Sequence, residues 1–147
     1  AISRGAKRAV MIEKDGEALK YIIENIDNLG FSDRCRAYKN DVIRAIEILG
    51  RKNEKFDIIF MDPPYQDNVT KKVLKAIDKA NILTEDGLII CEHHLLEDLE
   101  DNIASFRKTD ERKYNKKILT FYTKWLIVFL EKIFYVSSFT SQLLDSH

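Results

Sequence analysis

The sequence predicts an α/β domain built on a mostly parallel sheet that closes on an antiparallel hairpin. Three observations carry this expectation. Short apolar runs alternate with amphipathic segments along residues 8–91, the βα repeat of a parallel sheet with right-handed crossovers and helices on both faces. Three of these runs lead to an acid, at Glu13, Asp41 and Asp62. Beyond Ser105 the alternation gives way to two strand-like runs joined at Asn115-Lys116, and such a hairpin adds an antiparallel edge, common in mixed sheets.

The elements follow in order. Ala1-Ile2-Ser3-Arg4-Gly5-Ala6 reads as a helix ending at Gly5, glycine being usual just past a helix C-terminus. Arg8–Glu13 is a buried strand, and Glu17–Leu29 an amphipathic helix with Leu19, Ile22, Ile23, Ile26 and Leu29 at helical spacing. Gly30 stops it. Cys35–Tyr38 is a short strand, after which Asp41 caps a helix over Val42–Leu49 that Gly50 ends. Phe56–Met61 is the next strand. Asn68 or Thr70 caps a helix through Ala80 that carries Val73, Leu74 and Ile77. The turn Glu85-Asp86-Gly87 announces a strand over Leu88–Cys91. Ser105–Tyr114 and Lys117–Thr123 form the hairpin.

Composition narrows the function. The 147 residues suit one domain with a substantial core, and 45% hydrophobic against 33% charged residues exclude a disordered chain. Lys plus Arg and Asp plus Glu both count 24, so no overall basic excess attracts nucleic acid and any such site rests on local patches. Cys35 and Cys91 are far apart and in no metal-like spacing, which predicts reduced thiols in a cytoplasmic protein. No signal peptide is visible. The apolar stretch Trp125–Leu130 is too short to span a bilayer, so no membrane partner is expected.

The chemistry concentrates at Asp62-Pro63-Pro64-Tyr65, directly after the apolar strand. The prolines fix φ and remove two backbone donors, so the turn is stiff and offers carbonyl acceptors beside the carboxylate. The tyrosine adds a flat apolar face. A planar ring with an exocyclic amino group, a nucleobase, matches that set; a merely stiff loop is the plain alternative. In open α/β sheets ligands bind beyond the carboxyl ends of strands. There Glu13 is either a solvated turn residue or an acceptor for ribose hydroxyls. Asp41 is either only a helix cap or an acceptor for an adenine amino group. Adenosine at two acids and a target base at the third is the layout of an S-adenosyl-L-methionine-dependent methyltransferase.

The run from about Ala1 to Thr123 resembles the RsmD family, which methylates the exocyclic amino group of a guanine in small-subunit ribosomal RNA. The matching residues are Ile2-Ser3-Arg4-Gly5-Ala6, Ile12-Glu13-Lys14-Asp15, Asn40-Asp41, Phe56 through Tyr65, and Lys113-Tyr114 through Leu119-Thr120-Phe121-Tyr122. The resemblance implies a Rossmann-like class I methyltransferase sheet over residues 1–124 and stops after Thr123, which leaves 125–147 as a C-terminal extension, either an appended helix or a translation of sequence outside the original reading frame. It implies cofactor contacts at Glu13, Lys14, Asp41 and Val42. It also implies a catalytic turn of Asp62, Pro63, Pro64 and Tyr65, with Asp62 and the Pro63 carbonyl accepting from the target amine and Tyr65 stacking on a guanine drawn out of its pairing. The expected partner is ribosomal RNA or a small-subunit assembly intermediate.

The family also carries a first strand and an acidic, glycine-rich loop ahead of Ser3-Arg4-Gly5-Ala6, and no Gly-x-Gly occurs in this sequence. The expectation is a sheet lacking its first strand and glycine-rich loop, with weak or absent cofactor binding by this chain alone. Micromolar affinity for S-adenosylhomocysteine in calorimetry would contradict it. Two other readings stay open: an adenine-amino methyltransferase acting on DNA or RNA, and an inactive fragment that retains the fold.

Lesser signals complete the reading. Glu92-His93-His94 is expected in a polar loop at the sheet edge; adjacent histidines on an extended segment diverge and no third ligand is spaced to join them, so no metal is expected. Lys71, Lys72, Lys75 and Lys79, like Arg107, Lys108, Arg112 and Lys113, are either solvated faces or phosphate contacts. An uncovered Leu126, Phe129, Ile133 and Phe134 would form an apolar patch that favours self-association.

Overall fold

The structure is a computed structural model that describes residues 1–64 and 68–125. It divides into two compact units, Ala1–Lys52 and the residues from Asn53 onward.

The first unit pairs two parallel strands, β1 (Ala9–Glu13) and β2 (Cys35–Lys39), in register from Ala9 opposite Cys35 to Glu13 opposite Lys39. The connecting helix α1 (Gly16–Asn28) starts where Asp15 Oδ1 accepts from the Ala18 amide at 2.7 Å, satisfying one of the orphan donors of the first turn. Helix α2 (Val42–Arg51) starts the same way, with Asp41 Oδ1 accepting from Arg44 N at 3.1 Å. The sequence places the end of α2 at Gly50; instead Gly50 stays helical and the helix closes with Lys52 N donating to Ile48 O at 3.1 Å. The opening residues form a 3₁₀ turn over Ile2–Arg4 rather than an α-helical end. Arg4 N closes onto Ala1 O at 3.0 Å, and Gly5 sits at φ 99, a conformation open to glycine at little cost. The buried apolar residues of this unit are few: Ile2, Cys35, Ala45 and Ile46.

The second unit holds a five-stranded sheet in the order β3-β4-β7-β6-β5. Its strands are β3 (Phe56–Met61), β4 (Leu83–His94), β5 (Asn102–Ile103), β6 (Phe106–Tyr114) and β7 (Lys117–Lys124), with helix α3 (Val69–Ala80) between β3 and β4. Strands β3 and β4 are parallel; the remaining pairs are antiparallel. Val73, Leu74 and Ile77 of α3 are buried, as are Ile89 and Cys91 of β4 and Ile118, Thr120 and Tyr122 of β7. The alternation along β7 is the period-2 signature of a sheet with one packed face.

Strand β4 corrects the sequence reading twice. The expected turn at Glu85-Asp86-Gly87 is part of the strand. There β4 advances from Leu83 to Leu88 while β3 advances only from Phe56 to Ile58, so the extra residues are absorbed as a bulge. Gly87 permits it, because a Cβ there would lie 2.6 Å from the Leu83 side chain and 2.9 Å from Thr84 O. The expected loop at Glu92-His93-His94 is also strand. His93 is buried, its Nε2 2.8 Å from Thr120 Oγ1, so a polar run survives inside a strand because its one inward residue has a buried partner.

Burial of Cys91, with the Glu97 charge adding to it, pushes its thiol up to about 12 from 9.0. The thiolate is the reactive form, so at pH 8.5 native Cys91 should react with iodoacetamide roughly a thousandfold more slowly than in denaturant. Mass spectrometry of the labelled peptide checks this. Because the folded state holds this proton to higher pH than the unfolded one, the contribution to stability falls as pH rises from 9.0 toward about 12.

Strand β3 lies at the edge of its sheet with Ile58 61% and Phe60 59% exposed. Among the described residues no helix is long and apolar enough to cross a membrane. Trp125 N donates to Ser105 O at 3.3 Å; the extension beyond Trp125, with its expected apolar patch, lies outside the described residues.

Candidate active site

In the first unit the parallel register brings the carboxyl ends of β1 and β2 level, so Glu13 and Asp41 share one sheet edge. Glu13 ends β1, and its Oε1 accepts from Asp15 N at 2.8 Å, which leaves Oε2 as a second acceptor. Asn40 N donates to Glu13 O at 3.1 Å and ties the two strand ends together. Asp41 uses Oδ1 on its helix cap and keeps its second oxygen. Both expected roles of Asp41, cap and acceptor, are therefore compatible. Val42 is 38% exposed beside it, and Lys14 is exposed. Lys39 is a second cation of this edge: a Cβ on Gly16 would come within 3.1 Å of its Nζ.

In the second unit Asp62 follows directly on β3, level with Glu92 of β4 by the pairing of Met61 with Cys91. Its side chain is exposed and makes no hydrogen bond or ion pair among the described residues. Pro63 is half-buried and Pro64 exposed; Tyr65 lies outside the described residues. Glu92, the other acid of this edge, is paired with Lys117 Nζ. Asp62 is thus the carboxylate of the pair left open to a donor.

Several basic residues named from the sequence have structural partners. Lys108 Nζ donates to Leu99 O at 2.6 Å and lies 3.3 Å from Glu111. Lys71 binds Glu100 at 2.7 Å and holds that carboxyl below its usual range. Arg112 pairs with Asp110 at 2.9 Å and lies over the Phe121 ring.

A βα array with acids at its parallel strand ends, continued into an antiparallel hairpin, is the class I methyltransferase fold. Over residues 1–123 the chain belongs to the family described as "Conserved hypothetical protein 95", and its curated relatives identify this with the RsmD family. YlbH of Bacillus subtilis (strain 168) is 29% identical over 84% of this chain and 67% of its own length. Ribosomal RNA small subunit methyltransferase D of Haemophilus influenzae is 26% identical over 63% of this chain and 48% of its own. This chain therefore spans about two thirds of the first relative and about half of the second. Among solved structures, a conserved hypothetical protein of Streptococcus pyogenes superposes with a TM-score of 0.78 at 30% identity, covering 85% of this chain and 76% of that one. A methyltransferase from Geobacter sulfurreducens shares the fold with a TM-score of 0.62 at 20% identity, over 80% and 59% of the two chains.

Proposed function

We propose that this chain acts in methyl transfer from S-adenosyl-L-methionine to the N2 amino group of a guanine in small-subunit ribosomal RNA. The observation that supports it most is the open Asp62 carboxylate beside Pro63 at the carboxyl end of β3, in a member of this family. Bound, the cofactor supplies an electrophilic methyl on a sulfonium. The donor set of the first unit suits its adenosine: Glu13 Oε2 for the ribose hydroxyls, and Asp41 with the Val42 backbone for adenine, Lys14 lying alongside.

The residues of the second unit would act on the target. A guanine amine is a poor nucleophile because its lone pair is delocalised into the ring. Asp62 and the Pro63 carbonyl, accepting its two hydrogens, favour a pyramidal nitrogen and stabilise the positive charge that grows on it during attack. Pro64 stiffens the turn, and Tyr65 stacks on the extruded base. Alignment and preorganised charge suffice, and after transfer the cationic nitrogen gives its proton to water at this exposed edge. The setting is the cytoplasm, where small subunits are assembled.

Transfer of labelled methyl groups from the cofactor to small-subunit RNA tests this. N2-methylguanine in the nuclease digest is the expected product. N6-methyladenine would establish adenine as the target, and no incorporation into RNA or DNA would leave a fold without turnover.

A further inference from the structure

We infer that the tip of the β6–β7 hairpin grips the RNA strand beside the target nucleotide, with Lys113 and Lys116 on phosphates and Tyr114 against a base. The inference rests on RNA being the substrate. Residues 112–117 carry four cations and no acid, in a chain whose total charge is zero. Two of the four are occupied: Arg112 by Asp110, and Lys117 by Glu92. The other two face outward. Lys113 is 67% exposed and reaches only Glu111, at 4.0 Å, and Lys116 forms no ion pair among the described residues. Between them Tyr114 leaves 56% of its surface in solvent. A large aromatic between two exposed cations is the pairing that single-stranded nucleic acid uses, base on ring and phosphate on ammonium.

The tip is held in place before any ligand arrives. Asn115 takes φ 54 to turn the chain tightly. Lys116 O accepts from Leu95 N at 3.2 Å, and Leu96 N donates to His94 Nδ1 at 3.2 Å. The buried His93–Thr120 bond joins β4 to β7 below it. An open groove of about 900 Å³ runs from Glu92 and Leu119 to Tyr114 and Lys116. Its mix of apolar wall and cationic rim suits a nucleotide, since the Glu92 charge is already neutralised by Lys117.

Position supplies the link to the reaction. Met61 and Thr120 both pair with Cys91, whereas Lys117 pairs with His94. The tip therefore stands on the same sheet edge as Asp62, about 10 Å further along the strands and about 10–15 Å across them at ordinary strand spacings. A strand whose target base reaches Asp62 passes the tip within a few nucleotides.

Fluorescence anisotropy of the chain with a short labelled single-stranded RNA containing guanine tests this. K113Q/K116Q should flatten the dependence of log affinity on log salt by about 1.4, two single-strand phosphate contacts. Y114L should weaken binding about tenfold with the slope unchanged, and Y114W should restore it. A wild-type chain that binds no RNA would overturn both the RNA reading and this inference. Wild-type binding matched by all variants in affinity and slope would overturn the hairpin alone. Photocrosslinking of the wild-type complex with 4-thiouridine RNA gives an answer independent of any variant's folding: an adduct within residues 113–116 is expected, and adducts only elsewhere would overturn the assignment.

Discussion

Replacing Asp62 by alanine is expected to lower methyl transfer about 10²–10³-fold, the usual loss when one preorganised charge partner is removed from a transition state. The carboxylate is exposed at the end of β3 and has no partner among the described residues, so its removal leaves no buried group unsatisfied and should not disturb folding. Asp62→Asn keeps an acceptor oxygen without the charge and should fall between alanine and wild type. Calorimetry with S-adenosylhomocysteine separates the roles: its affinity should be unchanged by either variant, whereas Glu13→Ala should weaken it. Rate loss with unchanged cofactor affinity places the effect on the target amine. Unchanged turnover by Asp62→Ala would remove this residue from the chemistry.

The elements that sequence reveals most readily are those fixed by local chemistry. Strand β3, the cap at Asp41 and the apolar spacing of α3 are all local patterns, and all stand where the sequence puts them. Pairing and context govern what was not legible. The bulge at Gly87 depends on a non-local match between β3 and β4. The inward turn of His93 depends on Thr120, a residue 27 positions away. Gly50 stays helical although glycine normally ends a helix, and Lys52 supplies the closing bond. The hairpin tip shows the same limit. Arg107, Lys108, Arg112 and Lys113 look equivalent in sequence, but partners at Leu99, Asp110 and Glu111 remove Lys108 and Arg112 as free cations. The fold leaves Arg107 and Lys113 exposed, and of the two only Lys113 stands at the hairpin tip, beside Tyr114 and Lys116. The one available signal was the run of four cations around a tyrosine at a turn.

Phe106→Ala should be the most damaging change to the second unit, at about 3–5 kcal/mol. Phe106 is fully buried at the start of β6, opposite both Ile103 of β5 and Lys124 of β7. Its ring therefore sits where the short outer strand joins the sheet. Deleting it removes apolar contact and leaves a void that only partial collapse can fill. Strand β5 is two residues long and has little pairing of its own to hold it once that contact is gone. Domains of this size have about 5–15 kcal/mol of stability in total, so the loss is a large fraction of it. Urea titration followed by near-ultraviolet circular dichroism should show the midpoint falling sharply, whereas Phe106→Leu, which keeps most of the volume, should cost less than about 1.5 kcal/mol. Equal midpoints for alanine and wild type would mean that β5 and β6 contribute nothing to the cooperative core. The comparison also bears on the hairpin tip, since β6 carries Tyr114 at its far end. If the leucine variant keeps full RNA affinity while the alanine variant loses stability and affinity together, the tip depends on the sheet beneath it for its geometry.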